Sequence, residues 1–180
     1  ERAVHYEAGL RAAPWPFLKG EATVFLSSFE NQIIPATRAG NATGDLVNGG
    51  RTRHLGMEAA VRFEAGRAFA WPLTVDLFAS YTALSATFVG GPSDGLLLPY
   101  APMHTASAVL DVEHPVGLGA QASWSLVGSQ FADEGNTVPV DPTGRTGELP
   151  AHQVLDLSLR YTHKLTGLGA RIAVKNALDE

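Results

Sequence analysis

Arg51 to Glu64 reads RTRHLGMEAAVRFE, and the fold turns on this stretch. Leu55, Met57, Ala59, Val61 and Phe63 fall on one parity; Gly56, Glu58, Ala60, Arg62 and Glu64 fall on the other. A β-strand turns successive side chains to opposite faces, so the segment has one apolar and one charged face. The alternation runs for about ten residues, the length a tilted strand needs to cross a bilayer.

The same pattern recurs along the chain. Seven further strands are predicted, at about residues 3–12, 20–34, 73–82, 100–113, 118–126, 155–161 and 168–175. Pro14-Trp15-Pro16 is expected to end the first, because proline cannot donate to a ladder. The faces of the second stay unassigned, because Val24 and Leu26 oppose the equally apolar Phe25 and Phe29. In the other seven the mid-strand charges lie opposite the apolar stripe. Connections alternate in length: 14–20, 66–72, 114–117 and 163–167 are short, whereas 35–48, 89–98 and 134–149 are long. Aromatic residues gather near strand ends, at Trp15, Phe17, Phe69, Trp71, Tyr100, Phe131 and Tyr161.

Short turns at one end, long loops at the other and aromatic girdles describe an outer-membrane barrel. A passive porin or another outer-membrane β-barrel would share these features. A secreted β-sandwich binding module also alternates, but its strands are typically about five or six residues long and its loops need not alternate in length.

Composition narrows the function. The 180 residues are 45% hydrophobic and only 17% charged, where about 25% charged is usual. A net charge of −5 carries no basic stripe for nucleic acid, so no nucleic-acid partner is expected. Cysteine is absent, which removes disulfides, Cys-based zinc sites and thiol nucleophiles. No run approaches the ~18 apolar residues of a membrane helix. Neither G-x-S-x-G, H-E-x-x-H nor a P-loop occurs, and the six histidines form no ligand pair, so no enzyme, metal site or cofactor is expected. Gly117-Leu118-Gly119 and Gly167-Leu168-Gly169 read as hairpin glycines. Asn41-Ala42-Thr43 fits a glycosylation acceptor, which carries no weight in a bacterial outer-membrane protein.

Five segments, in order, resemble a known family: Tyr6 to Arg11 (YEAGLR), Glu30 to Ile33 (ENQI), Asn48 to Glu58 (NGGRTRHLGME), Leu98 to His104 (LPYAPMH) and Val174 to Glu180 (VKNALDE). Together they resemble the C-terminal half of TonB-dependent outer-membrane receptors, most of all the ferric dicitrate type, over essentially the whole chain. The resemblance implies an all-β antiparallel transmembrane barrel of 22 strands around a plug domain. Such a receptor takes up ferric siderophores, ferric citrate-like chelates or other scarce nutrients across the outer membrane of a Gram-negative bacterium. Energy comes from the TonB complex, which pulls on the plug. Residues 1–180 contain no plug or TonB box, and Ala177 stands where a larger apolar residue is common. They are expected to be one partial barrel of about eight strands, truncated at both ends and lying in outer-membrane lipid.

Two sets of candidate residues follow. Glu58, Arg62, Asp76, Asp111, Asp156, Arg160, Arg171 and Lys175 are expected to face the lumen or plug, or simply to solvate the wall and pair across strands. An anionic ferric chelate needs cations and hydrogen-bond donors on the long-loop side. Arg38, Arg51, Arg53, His54, Asn136 and Arg145 are the candidates there, unless the arginines meet lipopolysaccharide phosphates or keep the loops soluble. Alternation points His54 inward and Arg53 outward.

Overall fold

The computed structural model describes residues 2–31, 33–35, 46–48 and 50–179; Arg38 lies outside them. The strands are β1 (Arg2–Trp15), β2 (Leu18–Glu30), β3 (Ile33–Pro35), β4 (Leu46–Asn48), β5 (Arg51–Glu64), β6 (Thr74–Val89), β7 (His104–Glu113), β8 (Leu118–Val127), β9 (Gln130–Phe131), β10 (Glu148–Leu149), β11 (His152–Thr162) and β12 (Gly169–Val174), with one helical turn, α1 (Ala65–Ala68), between β5 and β6. Eight strands form one sheet in the order β1-β2-β5-β6-β7-β8-β11-β12, and β3-β4 and β9-β10 are small hairpins within two of the long connections. Every neighbouring pair in the large sheet is antiparallel. The sheet does not close, since β1 and β12 form its two edges.

Register carries the alternation of β5 across the whole sheet, because directly paired residues share a face. Val61 pairs with Gly20 and Ala79, Ala79 with Ala108, and Ala108 with Trp124. Trp124 in turn pairs with Leu155, while further along the same face Leu159 pairs with Ile172. The faces of β2 are settled the same way. Val24 pairs with Met57 and Leu26 with Leu55, so these two join the apolar face. Phe25 opposite Gly56 and Phe29 opposite Thr52 fall on the charged face.

The sheet is a single layer. Tyr6, Leu10, Leu159 and Ile172 are 68%, 73%, 65% and 74% exposed, and only Ala65, Ala86 and Ala132 are buried apolar residues among those described. A β-sandwich would cover that apolar face with a second sheet. None is present among the described residues. A continuous exposed apolar face of this size marks an interaction surface.

Several predicted boundaries move. β1 runs through Pro14 to Trp15, because a register shift between Ala12 and Trp15 lets the ladder skip the missing donor. β2 stops at Glu30 rather than 34. β6 continues to Val89, and β7 begins at His104, not 100. The residues between them stay close to β6: Leu98 donates to the Ala86 carbonyl at 2.9 Å, and Leu84 to the Met103 carbonyl at 2.9 Å. Apolar Leu96, Leu97 and Leu98 thus fold back on the wall instead of extending β7. The bounds of β5 are those expected from its alternation.

At the short-turn end, Trp15, Phe17, Phe63, Phe69 and Trp71 form a continuous chain of rings with centroids 5.2–6.2 Å apart. Gly117 does serve its hairpin, at φ +96°. Gly119 does something else: a Cβ there would lie 2.6 Å from Arg160 Nε.

Candidate functional site

The charged face carries the first group of candidates, and the structure shows how most of them are held. Arg62 Nη2 donates to Asp76 Oδ2 at 3.2 Å. Arg160 donates to both oxygens of Asp111, at 2.8 and 2.9 Å, and lies 3.7 Å from Glu113. Asp156 Oδ1 accepts the Asn176 backbone N–H at 2.9 Å, which fixes the chain leaving β12. Arg171 donates to Ser158 Oγ at 3.2 Å, and Lys175, just after β12, is exposed. Glu58 lines a shallow polar depression of about 220 Å³ with Glu21, Thr23, Ser80 and Thr82. Arg11, 2.9 Å from Glu21, belongs to the same face and was absent from the expected set.

At the long-loop end of this face lies a cluster that alternation alone did not mark. His5, Ser27, His54 and Ala86 pair in one row across β1, β2, β5 and β6. The next row toward the loops is Phe29, Thr52 and Phe88. His5 Nδ1 shares a 2.6 Å hydrogen bond with Ser27 Oγ, and His5 Nε2 lies 3.1 Å from Glu7. The His54 ring meets Phe29 edge-on at 5.1 Å, and His5 stacks on Phe25 at 6.2 Å. Thr52, only 2% exposed, is enclosed beside the two phenylalanines of its row. Phe25 lies over Gly56, where a Cβ would collide with its ring. The result is a ledge of aromatic and imidazole rings at the long-loop end of the charged face. Its sequence signal was the unassigned parity of β2, since two phenylalanines on a charged face mimic the opposite face.

The other long-loop candidates separate. Arg51 and Arg53 share the apolar face with Leu55, because the ladder holds through Arg53↔Thr87 and Arg51↔Val89. Both are exposed, and they point away from His54. Asn136 is a clasp: its Oδ1 accepts from Leu97 N at 2.8 Å and its Nδ2 donates to Leu97 O at 2.9 Å. With Tyr100 N donating to Phe131 O at 2.9 Å, it ties the connection 90–103 to the connection 128–151. Arg145 is exposed in the latter, its backbone N–H held by Asp141.

Two carboxylates organise that longer connection. Asp133 accepts from the N–H groups of Gly147, Gly135 and Thr137 and from the Thr137 hydroxyl. Asp141 accepts from the Thr143 hydroxyl and N–H, the Arg145 N–H and the Thr146 hydroxyl. Bonds to the charged form favour it, so both are held below the usual carboxylate range, Asp133 chiefly by Gly147 and Asp141 chiefly by the Thr143 hydroxyl. Glu134 moves the other way, pushed up by burial. Among the described residues no group of three or more His, Asp or Glu side chains is placed to hold a metal ion.

A family model described as "TonB dependent receptor-like, beta-barrel" matches residues 1–177. The solved ferric citrate transporter FecA, in its unliganded form, aligns with 99% of this chain at 27% identity and a TM-score of 0.80. The ferric-catecholate import receptor Fiu of E. coli aligns over 99% at 21% identity and a TM-score of 0.69, and the ferric preacinetobactin receptor BauA of Acinetobacter baumannii over 99% at 17% and 0.73. At these lower identities the last two show the fold alone. The chain spans about a quarter of each protein, 26%, 23% and 25% respectively.

Proposed function

The chain belongs to the TonB-dependent receptor-like β-barrel family, and from that premise we propose that it forms part of the wall of an outer-membrane receptor that imports a ferric chelate. The single observation that carries this reading is the two-faced register: eight strands place their apolar stripes on one side and their mid-strand charges on the other. In the intact barrel the apolar face meets outer-membrane lipid and the charged face meets a plug. The long connections then lie outside the cell, above the ledge formed by His5, Phe25, Phe29, His54 and Phe88.

Chelate capture is assigned to that ledge and to the tied connections 90–103 and 128–151. Rings offer contact area to an organic chelate, and the imidazoles add hydrogen-bonding groups beside them. Arg145 and Arg38 remain the long-loop cations proposed to meet an anionic chelate, and Asn136 braces the connections 90–103 and 128–151. Charges lower on the wall, from Glu58 and Arg62 to Arg171 and Lys175, face the plug. The reading is of a receptor and transporter, without catalysis or a resident cofactor.

The test is import of radiolabelled ferric chelates by the full-length receptor in an outer membrane lacking its own uptake systems. Import of ferric citrate or a ferric siderophore that stops when TonB is removed is the expected result. Import unchanged without TonB would leave a passive porin and sink the energised mechanism.

A further inference from the structure

Both methionines of the chain meet one histidine on the apolar face. Met57, Met103 and His104 line a single depression of about 340 Å³, with Leu55, Ala83 and Ser85 around them. Register explains the meeting. Met57 pairs with Ala83 and Ala83 with His104, so the two long side chains flank a single methyl group in one row. Their backbones stand two strand spacings of about 4.8 Å apart, within reach of a thioether and an imidazole converging over Ala83. Met103 is held beside the same row, because its carbonyl accepts from Leu84 N at 2.9 Å. His104 opens β7, so the depression lies where the connection 90–103 meets the wall.

Tyr81 fixes the imidazole. Its hydroxyl lies 2.7 Å from His104 Nδ1, and the two rings stack with centroids 6.0 Å apart. With the proton on Nδ1 and donated to the Tyr81 oxygen, Nε2 presents its lone pair, and among the described residues it has no partner. A ligating histidine is commonly oriented in this way, through a hydrogen bond at its other nitrogen. An imidazole on a face otherwise built from apolar side chains is costly under the outer-membrane reading unless it is used.

We propose that Met57, Met103 and His104 bind a soft monovalent cation, Cu(I). Thioether donors favour this ion over harder metals. Two thioethers and a neutral imidazole carry no charge to offset the desolvation of a divalent or trivalent ion, whereas a single positive charge costs far less to bring there. The histidines alone supply no such site; the thioethers complete it. It goes beyond the transport reading, because it lies on the face turned away from the ring ledge and needs no ferric chelate.

The experiment titrates purified full-length receptor in detergent with Ag(I), a redox-inert ion of the same charge and ligand preference, in chloride-free buffer. Calorimetry counts the bound equivalents, and the difference between wild type and variant isolates this site from soft donors elsewhere in the receptor. Met57→Leu/Met103→Leu, which conserves volume, should remove one equivalent. Loss of an orienting partner alone commonly costs about 10–100-fold in metal affinity, so His104→Gln should weaken that equivalent by at least about tenfold. His54→Gln, an imidazole lost from the opposite face, should match wild type. In wild type labelled at its methionine methyls, the Met57 and Met103 resonances should shift together in one step as Ag(I) is added. Cu(I) under anaerobic conditions should displace Ag(I), and Zn(II) should not. Unfolding temperatures measured without Ag(I) separate ligand loss from misfolding; where a variant unfolds early, the wild-type methyl shifts decide. Unchanged stoichiometry in the double Leu variant, a shift at one methionine without the other, or displacement by Zn(II) would each overturn the site. A receptor that binds Ag(I) here yet imports no chelate would refute transport alone.

Discussion

Arg160 on β11 grips Asp111 on β7 across the intervening strand, with both carboxylate oxygens bound at 2.8 and 2.9 Å. The guanidinium arm crosses β8 where Gly119 leaves room for it. Three strands of the wall are thereby joined by one side chain on the face assigned to the lumen.

This contact predicts non-additive mutational effects. Asp111→Asn removes the acceptor charge, and Gly119→Val fills the space the arm occupies. Because the pair is partly solvated, each change should cost about 1 kcal/mol or less in thermal unfolding of the full-length receptor. The double variant should cost little more than the worse single one, since both remove the same interaction. Full additivity would show that Gly119 does not act through Arg160.

The Asn136 clasp predicts linked loop dynamics. Asn136→Gly keeps the positive φ of 49° accessible while deleting the amide. Losing its two bonds to Leu97 should raise the local opening of both connections by about 1–2 kcal/mol, read as faster hydrogen exchange in peptides containing Leu97. Exchange in β5 and β6 should stay as in wild type; a global increase would mean the clasp supports the wall.

The carboxylate knots predict an acid-labile loop. Asp133 and Asp141 have depressed values in the folded state, so their contribution is fully present above the ordinary carboxylate range. It is lost as pH falls from about 3.8, the unperturbed value, through the lower folded values. Proteolytic protection of 128–151, read with an acid-active protease, should therefore persist through mildly acidic pH and fall only below that range. Asp133→Asn should expose the loop at neutral pH and flatten the profile. A protection midpoint well above the carboxylate range would contradict this account.

The ring ledge predicts a binding phenotype. Phe29→Ala or His54→Ala removes one ring of an edge-on pair from the ledge, and a lost ring contact of about 0.5–1.5 kcal/mol corresponds to about twofold to twelvefold in chelate affinity. Equilibrium binding of the imported chelate to detergent-solubilised receptor measures it, without TonB. Wild-type affinity in both variants would remove the ledge from the site.

The sequence by itself determined the two-faced strands, the end carrying the long connections and the bounds of β5. Those features rest on a local rule: a strand's side chains alternate whatever its neighbours are. It also sorted Glu58, Arg62, Asp76, Asp111, Asp156, Arg160 and Arg171 onto one face, as the ladder pairs them. Tertiary structure alone decided the rest, because it depends on pairing between distant segments. Register assigned Phe25 and Phe29 to the charged face, which no alternation within β2 could do. Continued pairing to Val89 kept Arg51 on the apolar face, where an unpaired loop residue would have been free to turn to the other. The grip of Arg160 on Asp111 and the bonds of Asn136 to Leu97 join residues 49 and 39 positions apart, brought together only when the sheet assembles.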